Sequence, residues 1–179
     1  KLPTPRRRMN AFVDLLDNPD EAGAWHSTAE TKALLDMMSP INLEKVRKAQ
    51  KTGKLSVGCV YKRTRRNAQD TKVQRAEVRF DGVSGCLRTP AGGSSRQVIV
   101  IVEGKKIRSR LITARETARL MGLRDSYQLP DSYNEAYHLT GDGVAVPVVR
   151  HIAKHLLEPL VEAASRNEHD VVDLMDKAA

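Results

Sequence analysis

Residues 97–103 have the sequence Gln-Val-Ile-Val-Ile-Val-Glu, in which five β-branched apolar side chains stand in a row between two polar ones. A run that is apolar at every position, rather than at every second one, is typical of a strand buried on both faces. The following Gly104-Lys105-Lys106 predicts a turn into a partner strand around residues 107–112. We therefore expect this run to lie inside a sheet whose two faces are both covered.

The residues before this run alternate between apolar and polar side chains. Alternation over residues 55–62 and again over 78–81 predicts two half-exposed strands. Asp81-Gly82 predicts a turn, and Gly92-Gly93-Ser94-Ser95 predicts a flexible or simple hairpin loop. The middle of the chain is expected to form a small antiparallel sheet, so the fold class is α+β.

Helical patterns lie on both sides of this sheet. A short helix is predicted over residues 9–16, and Ser27-Thr-Ala-Glu30 has the form of a capping box at the start of another. Ser39-Pro40 begins a helix that should run to about Gln50. A second capping box, Thr113-Ala-Arg-Glu116, predicts a helix through Met121.

The C-terminal part of the chain predicts a short helix and then a longer one from about Val144 to Ala164. A wide apolar stripe runs along the longer helix: Val148, Val149, Ile152, Leu156, Leu157 and Leu160. Such a stripe has to be covered by another surface.

Composition favours an anionic partner. The net charge is +8 and the pI is about 9.7, and many of the arginines fall in the central third of the chain. Aromatic residues make up only 4%, which argues against a binder of single strands and favours duplex DNA. The alternative is a basic face that is merely solvated.

Other classes of protein fit the sequence less well. No apolar run is long enough to span a bilayer, and residues 1–8 lack the apolar region of a secretory signal, so no membrane partner and a cytoplasmic location are expected. Cys59 and Cys86 are expected to be buried structural thiols. His151 and His155 are spaced as in a zinc helix, but Ile152 replaces the expected glutamate, so no metal site is predicted.

The most specific pattern is Arg110-Leu-Ile-Thr-Ala-Arg-Glu-Thr-Ala-Arg-Leu-Met-Gly-Leu-Arg-Asp-Ser-Tyr127, followed by Ala136-Tyr-His-Leu-Thr-Gly-Asp-Gly-Val-Ala-Val-Pro-Val-Val149. These two segments resemble motifs IX and X of the DNA (cytosine-5) methyltransferases, in the same order and at about the same spacing. The resemblance extends roughly over residues 10–160. In that family the first segment ties the recognition domain to the catalytic domain, and the second completes the pocket for S-adenosylmethionine.

The resemblance implies a domain organisation: a linker over residues 1–9, a target-recognition domain over 10–110, a helical segment with motifs IX and X over 111–165, and a tail over 166–179. The helical segment would pack on a Rossmann-like methyltransferase domain. Five residues of the first motif would hold structure rather than react: Arg110, Thr113, Arg115, Glu116 and Arg119.

The second motif implies a contact with the cofactor. Gly141-Asp142-Gly143 stands where the family usually has Gly-Asn-Ser or Gly-Asn-Ala, so Asp142 and Gly143 are the expected cofactor-binding residues. A carboxylate at this place can accept a hydrogen bond from the methionine amino group or a ribose hydroxyl, but it cannot donate one. The alternative is that Asp142 caps the long helix that follows.

The region from Arg63 to Arg110 corresponds to the target-recognition part of the family. Its arginines can read guanine edges or bind phosphates. Cys86-Leu-Arg-Thr89 resembles the segment that helps to fill the gap left by a flipped cytosine. The residues expected to face DNA are Arg63, Arg65, Arg66, Arg88, Thr89, Ser94, Ser95, Arg96 and Gln97.

The motifs that perform methyl transfer are missing from the sequence. Neither cysteine follows a proline, and no Glu-Asn-Val or Phe-x-Gly-x-Gly segment is present. We therefore expect a recognition and C-terminal portion that needs a catalytic domain or subunit, as an excised piece or one subunit of a split enzyme. The alternatives are a stand-alone DNA-binding regulator, a scaffold, and an enzyme that uses Cys86 as its nucleophile.

Overall fold

The structure is a computed structural model that describes residues 2–7, 9–19, 22–87, 89 and 96–166. It divides into two compact units, one within Arg8–Gly143 and the other within Lys1–Arg7 and Val144–Ala179. In chain order, the elements are a 3-10 helix Phe12–Leu15, α1 Thr28–Asp36, α2 Pro40–Lys51, β1 Ser56–Arg66, β2 Lys72–Arg79, β3 Val98–Glu103, β4 Lys106–Leu111, α3 Ala114–Leu120, α4 Tyr133–Asp142, α5 Val146–Ile152 and a π-helical turn Ala153–Leu157, followed by helix over 158–166.

The first unit is built on a four-stranded sheet in the order β2-β1-β3-β4. Every neighbouring pair is antiparallel, and Val100 of β3 stands between Gly58 of β1 and Ser109 of β4. Gly104 has a positive φ of 55° in the tight β3–β4 turn, a conformation that glycine adopts without strain. The α+β class and the antiparallel sheet predicted from the sequence are confirmed.

One face of the sheet is covered by α1 and α2. Leu34, Met38 and Val46 pack there against a row of strand residues, Val60, Ala76, Val78, Val98, Val100 and Val102. The helices begin where the sequence predicts. Ser27 Oγ accepts from the Glu30 N–H at 3.2 Å while the Glu30 carboxylate accepts from the Ser27 N–H at 2.7 Å, which completes the capping box.

The other face is covered by three parts of the chain: the 3-10 helix, Ile112 directly after β4, and the helix α4. Phe12, Ile112 and Tyr137 pack there against Val57, Cys59, Ile99 and Ile101. Successive residues of β3 point to opposite faces, and each face has its own apolar layer. Residues 98–102 are therefore buried throughout, as the unbroken apolar run predicts.

Strand β1 differs from its prediction as a half-exposed strand. Residues Val57–Val60 are buried on both faces because β1 lies between β2 and β3 and under both layers. Its pairing with β3 ends at Val60 opposite Val98, and residues 62–66 beyond it are exposed. Residues 61–66 and 72–77 continue as a two-stranded ribbon, which we call the β1–β2 ribbon.

Two helix predictions also need correction. The helix predicted over residues 9–16 is only a 3-10 turn at Phe12–Leu15. The helix predicted from Val144 begins at Val146, where Pro147 occupies the first turn, and it contains the π-helical turn Ala153–Leu157. Helices in the described part of the chain all lack the length and hydropathy of a membrane span.

Candidate functional site

Arg110 and Glu116 form a buried ion pair at the end of β4. Arg110 Nη1 donates to Glu116 Oε2 at 2.8 Å and Arg110 Nη2 donates to Oε1 at 2.5 Å, and the two side chains are only 1% and 0% exposed. The Arg110 guanidinium also lies 5.2 Å from the centre of the Trp25 ring. A two-pronged contact of this kind fixes the strand to the start of α3, because the guanidinium fork matches the carboxylate.

Asp17 joins this pair to the rest of α3. Its N–H donates to Glu116 Oε1 at 2.9 Å, and its carboxylate accepts from Thr113 Oγ1 at 2.5 Å and from Arg119 Nη1 at 2.6 Å. Thr113 caps α3 by accepting from the Glu116 N–H at 3.0 Å. Arg119 is further held by Asp125, whose pKa is lowered by the hydrogen bond from Arg119.

Four of the five residues expected to hold structure therefore meet in one network with Asp17. Arg115 does not join them, and its guanidinium instead donates to the Arg124 carbonyl at 3.4 Å. Sequence reasoning missed Asp17, which lies just beyond the helix predicted over residues 9–16. No local signal could have found it, because 99 positions separate Asp17 from Glu116.

A cleft of about 350 Å³ borders this network. Its walls include Val13, Trp25, Ile101 and Arg108, with the Arg108 guanidinium 4.1 Å from the centre of the Trp25 ring. Neither Asp142 nor Gly143 lines it. The cleft is thus separate from the residues that the sequence assigns to the cofactor.

The three arginines predicted to face DNA from β1 are all exposed on the β1–β2 ribbon. Arg63 and Arg65 lie 3.7 Å and 3.5 Å from the carboxylate of Glu77 on β2. Arg66 donates to the Asp70 carboxylate at 2.5 Å, within the turn that closes the ribbon. Exposed pairs of this kind are weak, so these guanidinium groups remain able to bind another anion.

Arg96 and Gln97 lie where the chain enters β3. The Arg96 guanidinium donates to the Asn134 side chain and lies 5.2 Å from the centre of the Tyr133 ring. Gln97 is buried, and its amide nitrogen donates to the carbonyls of Val60 and Val98 at 3.0 Å each. The Gln97 side chain therefore holds β1 to β3 in this structure and does not face solvent.

Tyr137 of α4 was not singled out in the sequence. Its hydroxyl accepts from the Gln97 N–H at 3.0 Å, and its ring is buried in the second apolar layer. Burial raises the pKa of Tyr137, so the hydroxyl stays protonated at neutral pH. The contact ties α4 to the start of β3.

Thr89 and Asp142 contact each other, because the Thr89 hydroxyl donates to the Asp142 carboxylate. Asp142 is the last residue of α4 and is exposed, as is Gly143, which follows it. The residue that caps α5 is Ala145, so Asp142 does not cap that helix. Arg88, Ser94 and Ser95, together with the Gly92-Gly93 loop and residues 167–179 of the predicted tail, lie outside the described residues.

The two cysteines have different environments. Cys59 is fully buried, and burial raises the pKa of its thiol to about 11, which confirms the structural role predicted for it. Cys86 is exposed, so the prediction that it is buried was wrong. Cys86 lies in the extended segment after β2.

The two histidines of the apparent zinc spacing contact each other on the helical segment. The rings of His151 and His155 lie 4.7 Å apart. Among the described residues no group of three or more histidine, cysteine or carboxylate side chains is placed to hold a metal ion.

Comparison with known proteins finds similarity to Type II methyltransferases. Type II methyltransferase M1.ScrFI of Lactococcus lactis subsp. cremoris is 41% identical over 61 residues, which are 34% of this chain and 16% of that protein. Type II methyltransferase M.NlaX of Neisseria lactamica is 39% identical over 67 residues, 37% of this chain and 21% of that protein. Type II methyltransferase M.HpaII of Haemophilus parainfluenzae is 47% identical over 51 residues, 28% of this chain and 14% of that protein.

The matched stretches thus span between 14% and 21% of the lengths of these relatives. No solved structure matches the chain. The family model of the C-5 cytosine-specific DNA methylases matches residues 1–158. That stretch is most of the 179 residues, and it includes the β1–β2 ribbon, the buried network and α4. The chain therefore belongs to the C-5 cytosine-specific DNA methylase family.

Proposed function

We propose that this chain is the target-recognition and C-terminal portion of an S-adenosylmethionine-dependent DNA (cytosine-5) methyltransferase. Residues 10–110 would bind duplex DNA. Residues 111–165 would pack on a Rossmann-like catalytic portion that carries the nucleophile and most of the cofactor pocket. The Type II methyltransferases among its relatives support a role in restriction-modification.

The observation that carries the proposal is the apolar face of the helical segment from residue 144 to 166. Its apolar residues are exposed to between 38% and 67%: Val144, Val148, Val149, Ile152, Leu156, Leu157, Leu160 and Val161. A contiguous apolar face of this size on a helix is typical of a protein contact surface. Residues 144–149 of this segment also belong to the stretch that resembles motif X, which in the family lies against the catalytic domain.

Charge supports the DNA-binding part of the proposal. The net charge of +8 favours a polyanion, and the exposed arginines of the β1–β2 ribbon present several cations on one element. The scarcity of aromatic side chains favours duplex over single-stranded DNA. The buried network holds α3 against β4 and so gives the recognition portion a fixed support.

For the cofactor, this chain offers only part of a site. The Asp142 carboxylate is exposed and, among the residues that the structure describes, accepts from the Thr89 hydroxyl, and a carboxylate can accept further bonds from an amino group or a ribose hydroxyl. Gly143 follows and is exposed, and a Cβ there would lie 2.9 Å from the Leu139 carbonyl oxygen, so glycine suits the end of α4. S-adenosylmethionine would supply the methyl group, and these two residues would only help to hold it.

The test is reconstitution with the full 179-residue chain. Mixed with a candidate catalytic chain that carries the Pro-Cys, Glu-Asn-Val and Phe-x-Gly-x-Gly motifs, it is expected to give transfer of labelled methyl groups to duplex DNA that neither chain gives alone. The double variant Leu156→Asp/Leu160→Asp is expected to abolish this activity, because both residues are exposed and their charges would enter the contact.

Lys154→Asp is the matched control, since its position is about half a helical turn from Leu156. It should retain activity. A mixture that stays inactive while both chains are folded would refute the catalytic pairing, and duplex binding in such a mixture would favour the stand-alone regulator instead.

A further inference from the structure

The β1–β2 ribbon extends beyond the end of the β1–β3 pairing at Val60. It is closed by a turn in which Asn67 Oδ1 accepts from the N–H groups of Gln69 and Thr71 at 3.0 Å and 2.9 Å. The pairing continues to Arg66 opposite Lys72, so the ribbon is ordered to its tip. Its side chains therefore occupy two defined faces.

The contacts at the base of the ribbon assign these faces. Tyr61 packs against the layer of Phe12 and Tyr137, whereas Val60 and Ala76 belong to the layer under α1 and α2. Because side chains alternate along each strand, the remaining charged residues follow the same parity. The arginine face, on the side of Tyr61, carries Arg63, Arg65, Arg75 and Glu77, and the opposite lysine face carries Lys62, Arg66 and Lys72.

The arginine face lies on the same side as Gly85, in the extended segment that follows β2. A Cβ added to Gly85 would lie 2.9 Å from the Tyr61 hydroxyl, so the chain after β2 runs directly against Tyr61. This segment leads to residues 88–97, where most of the residues predicted to face DNA are found. A duplex bound by that segment would meet the arginine face before the lysine face.

Glu77 restrains this face. Its carboxylate is shared by Arg63 at 3.7 Å and Arg65 at 3.5 Å, and Arg75 stands opposite Arg63 in the register. The side chains of Arg63 and Arg65 are still 52% and 51% exposed, so both contacts are in high dielectric and are weak. A phosphate group, which accepts two parallel bonds from a guanidinium, competes well with such a shared carboxylate.

We propose that the arginine face binds the phosphate backbone of the duplex, that the lysine face does not, and that Glu77 lowers the affinity by occupying Arg63 and Arg65. This inference rests on the proposed function, in which the chain binds duplex DNA. The contact is to phosphates and not to bases, because these guanidinium groups are exposed and Glu77, which contacts Arg63 and Arg65 at 3.7 Å and 3.5 Å, is too distant to fix either one for a single base.

The experiment measures affinity of the full chain for two duplexes of unrelated sequence between 50 and 200 mM salt. Log affinity falls as log salt rises, and each phosphate contact adds about 0.9 to the size of this slope. Arg63→Gln/Arg75→Gln is thus expected to lower that slope by about 1.8, so that over this fourfold salt range the unchanged chain loses about 12-fold more affinity than the variant. Lys62→Gln/Lys72→Gln removes the same charge from the other face and is expected to change the slope far less.

Glu77→Gln is expected to tighten binding to both duplexes. Circular dichroism and the urea midpoint should be unchanged in all three variants, since every altered side chain is at least partly exposed. Equal effects of the arginine and lysine pairs, or weaker binding by Glu77→Gln, would overturn the assignment of the face. A loss confined to one duplex would mean base reading and would also overturn it. Failure of the unchanged chain to bind either duplex would instead refute the proposed function.

Discussion

Replacing Glu116 by glutamine is expected to cost about 3–5 kcal/mol of unfolding free energy, the usual cost of breaking a buried ion pair from one side. Glu116 accepts four hydrogen bonds, two from Arg110 and one each from the N–H groups of Asp17 and Thr113. A glutamine keeps one acceptor oxygen, turns an N–H₂ group toward two of these donors and leaves the Arg110 charge without a counterion. For a domain with about 5–15 kcal/mol of total stability, this is a large fraction.

The double-mutant cycle isolates the pair from its surroundings. Arg110→Met alone leaves a buried carboxylate and Glu116→Leu alone leaves a buried guanidinium, and each is expected to cost a similar amount. Arg110→Met/Glu116→Leu removes both charges and is expected to cost at least about 2 kcal/mol less than the sum of these two single variants. The double variant still leaves the N–H groups of Asp17 and Thr113 without a partner, so it remains less stable than the unchanged chain.

Urea unfolding followed by circular dichroism measures these differences. Fluorescence of Trp25, the single tryptophan, serves as a second probe beside Arg110. Arg66→Gln, which breaks an exposed pair with Asp70, is the control and is expected to cost less than about 1 kcal/mol. Single variants at the buried pair that cost no more than this control, or a cycle that is additive, would refute the reasoning.

Three other variants test individual environments. Gly58→Ala is expected to destabilise the fold by about 1–3 kcal/mol because an added Cβ would lie 2.8 Å from the Phe80 ring, and an unchanged urea midpoint would show that the ring yields freely. A disulfide-exchange reagent is expected to label only Cys86 in the native chain and also Cys59 after unfolding, since burial raises the pKa of Cys59 to about 11, and rapid labelling of native Cys86→Ser would contradict this. Glu30→Gln is expected to lower the thermal midpoint at neutral pH. Backbone hydrogen bonding at the cap lowers the pKa of Glu30 from 4.5. The carboxylate therefore stabilises the fold above pH 4.5, and this stabilisation is lost as the pH falls through the lowered pKa. A difference in thermal midpoint between the two chains that does not depend on pH would exclude this mechanism.

Local sequence rules predicted much of the fold. Both capping boxes form as expected because each depends on residues three positions apart. The unbroken run from Val98 to Val102 is buried on both faces, since a strand that is apolar at every position needs a packed layer on each side. In these cases the controlling contact lies within one helical turn or one strand.

Predictions failed where the controlling contact is distant in sequence. Asp17 contacts Glu116 only because the first segment of the chain returns to α3, which no periodicity records. The alternation in β1 suggested an exposed face, but its place inside the sheet buries Val57–Val60 on both sides. Cys86 was expected to be buried on composition alone, and the segment that holds it has no pattern that would show its exposure.

Under the proposed function, the buried network serves stability and the β1–β2 ribbon serves DNA binding, and this difference can be tested. Arg110 and Glu116 are charged but nearly inaccessible, so their variants should change the urea midpoint and reduce DNA affinity only through the unfolded fraction. Arg63 and Arg75 are exposed, so their variants should change DNA affinity at an unchanged midpoint. Measuring affinity well below the unfolding temperature distinguishes the two. A folded Glu116→Gln chain could instead lose DNA affinity as strongly as the Arg63→Gln/Arg75→Gln chain. In that case the network would shape the DNA-binding surface itself, and Arg110 and Arg119 would have a role in recognition as well as in support.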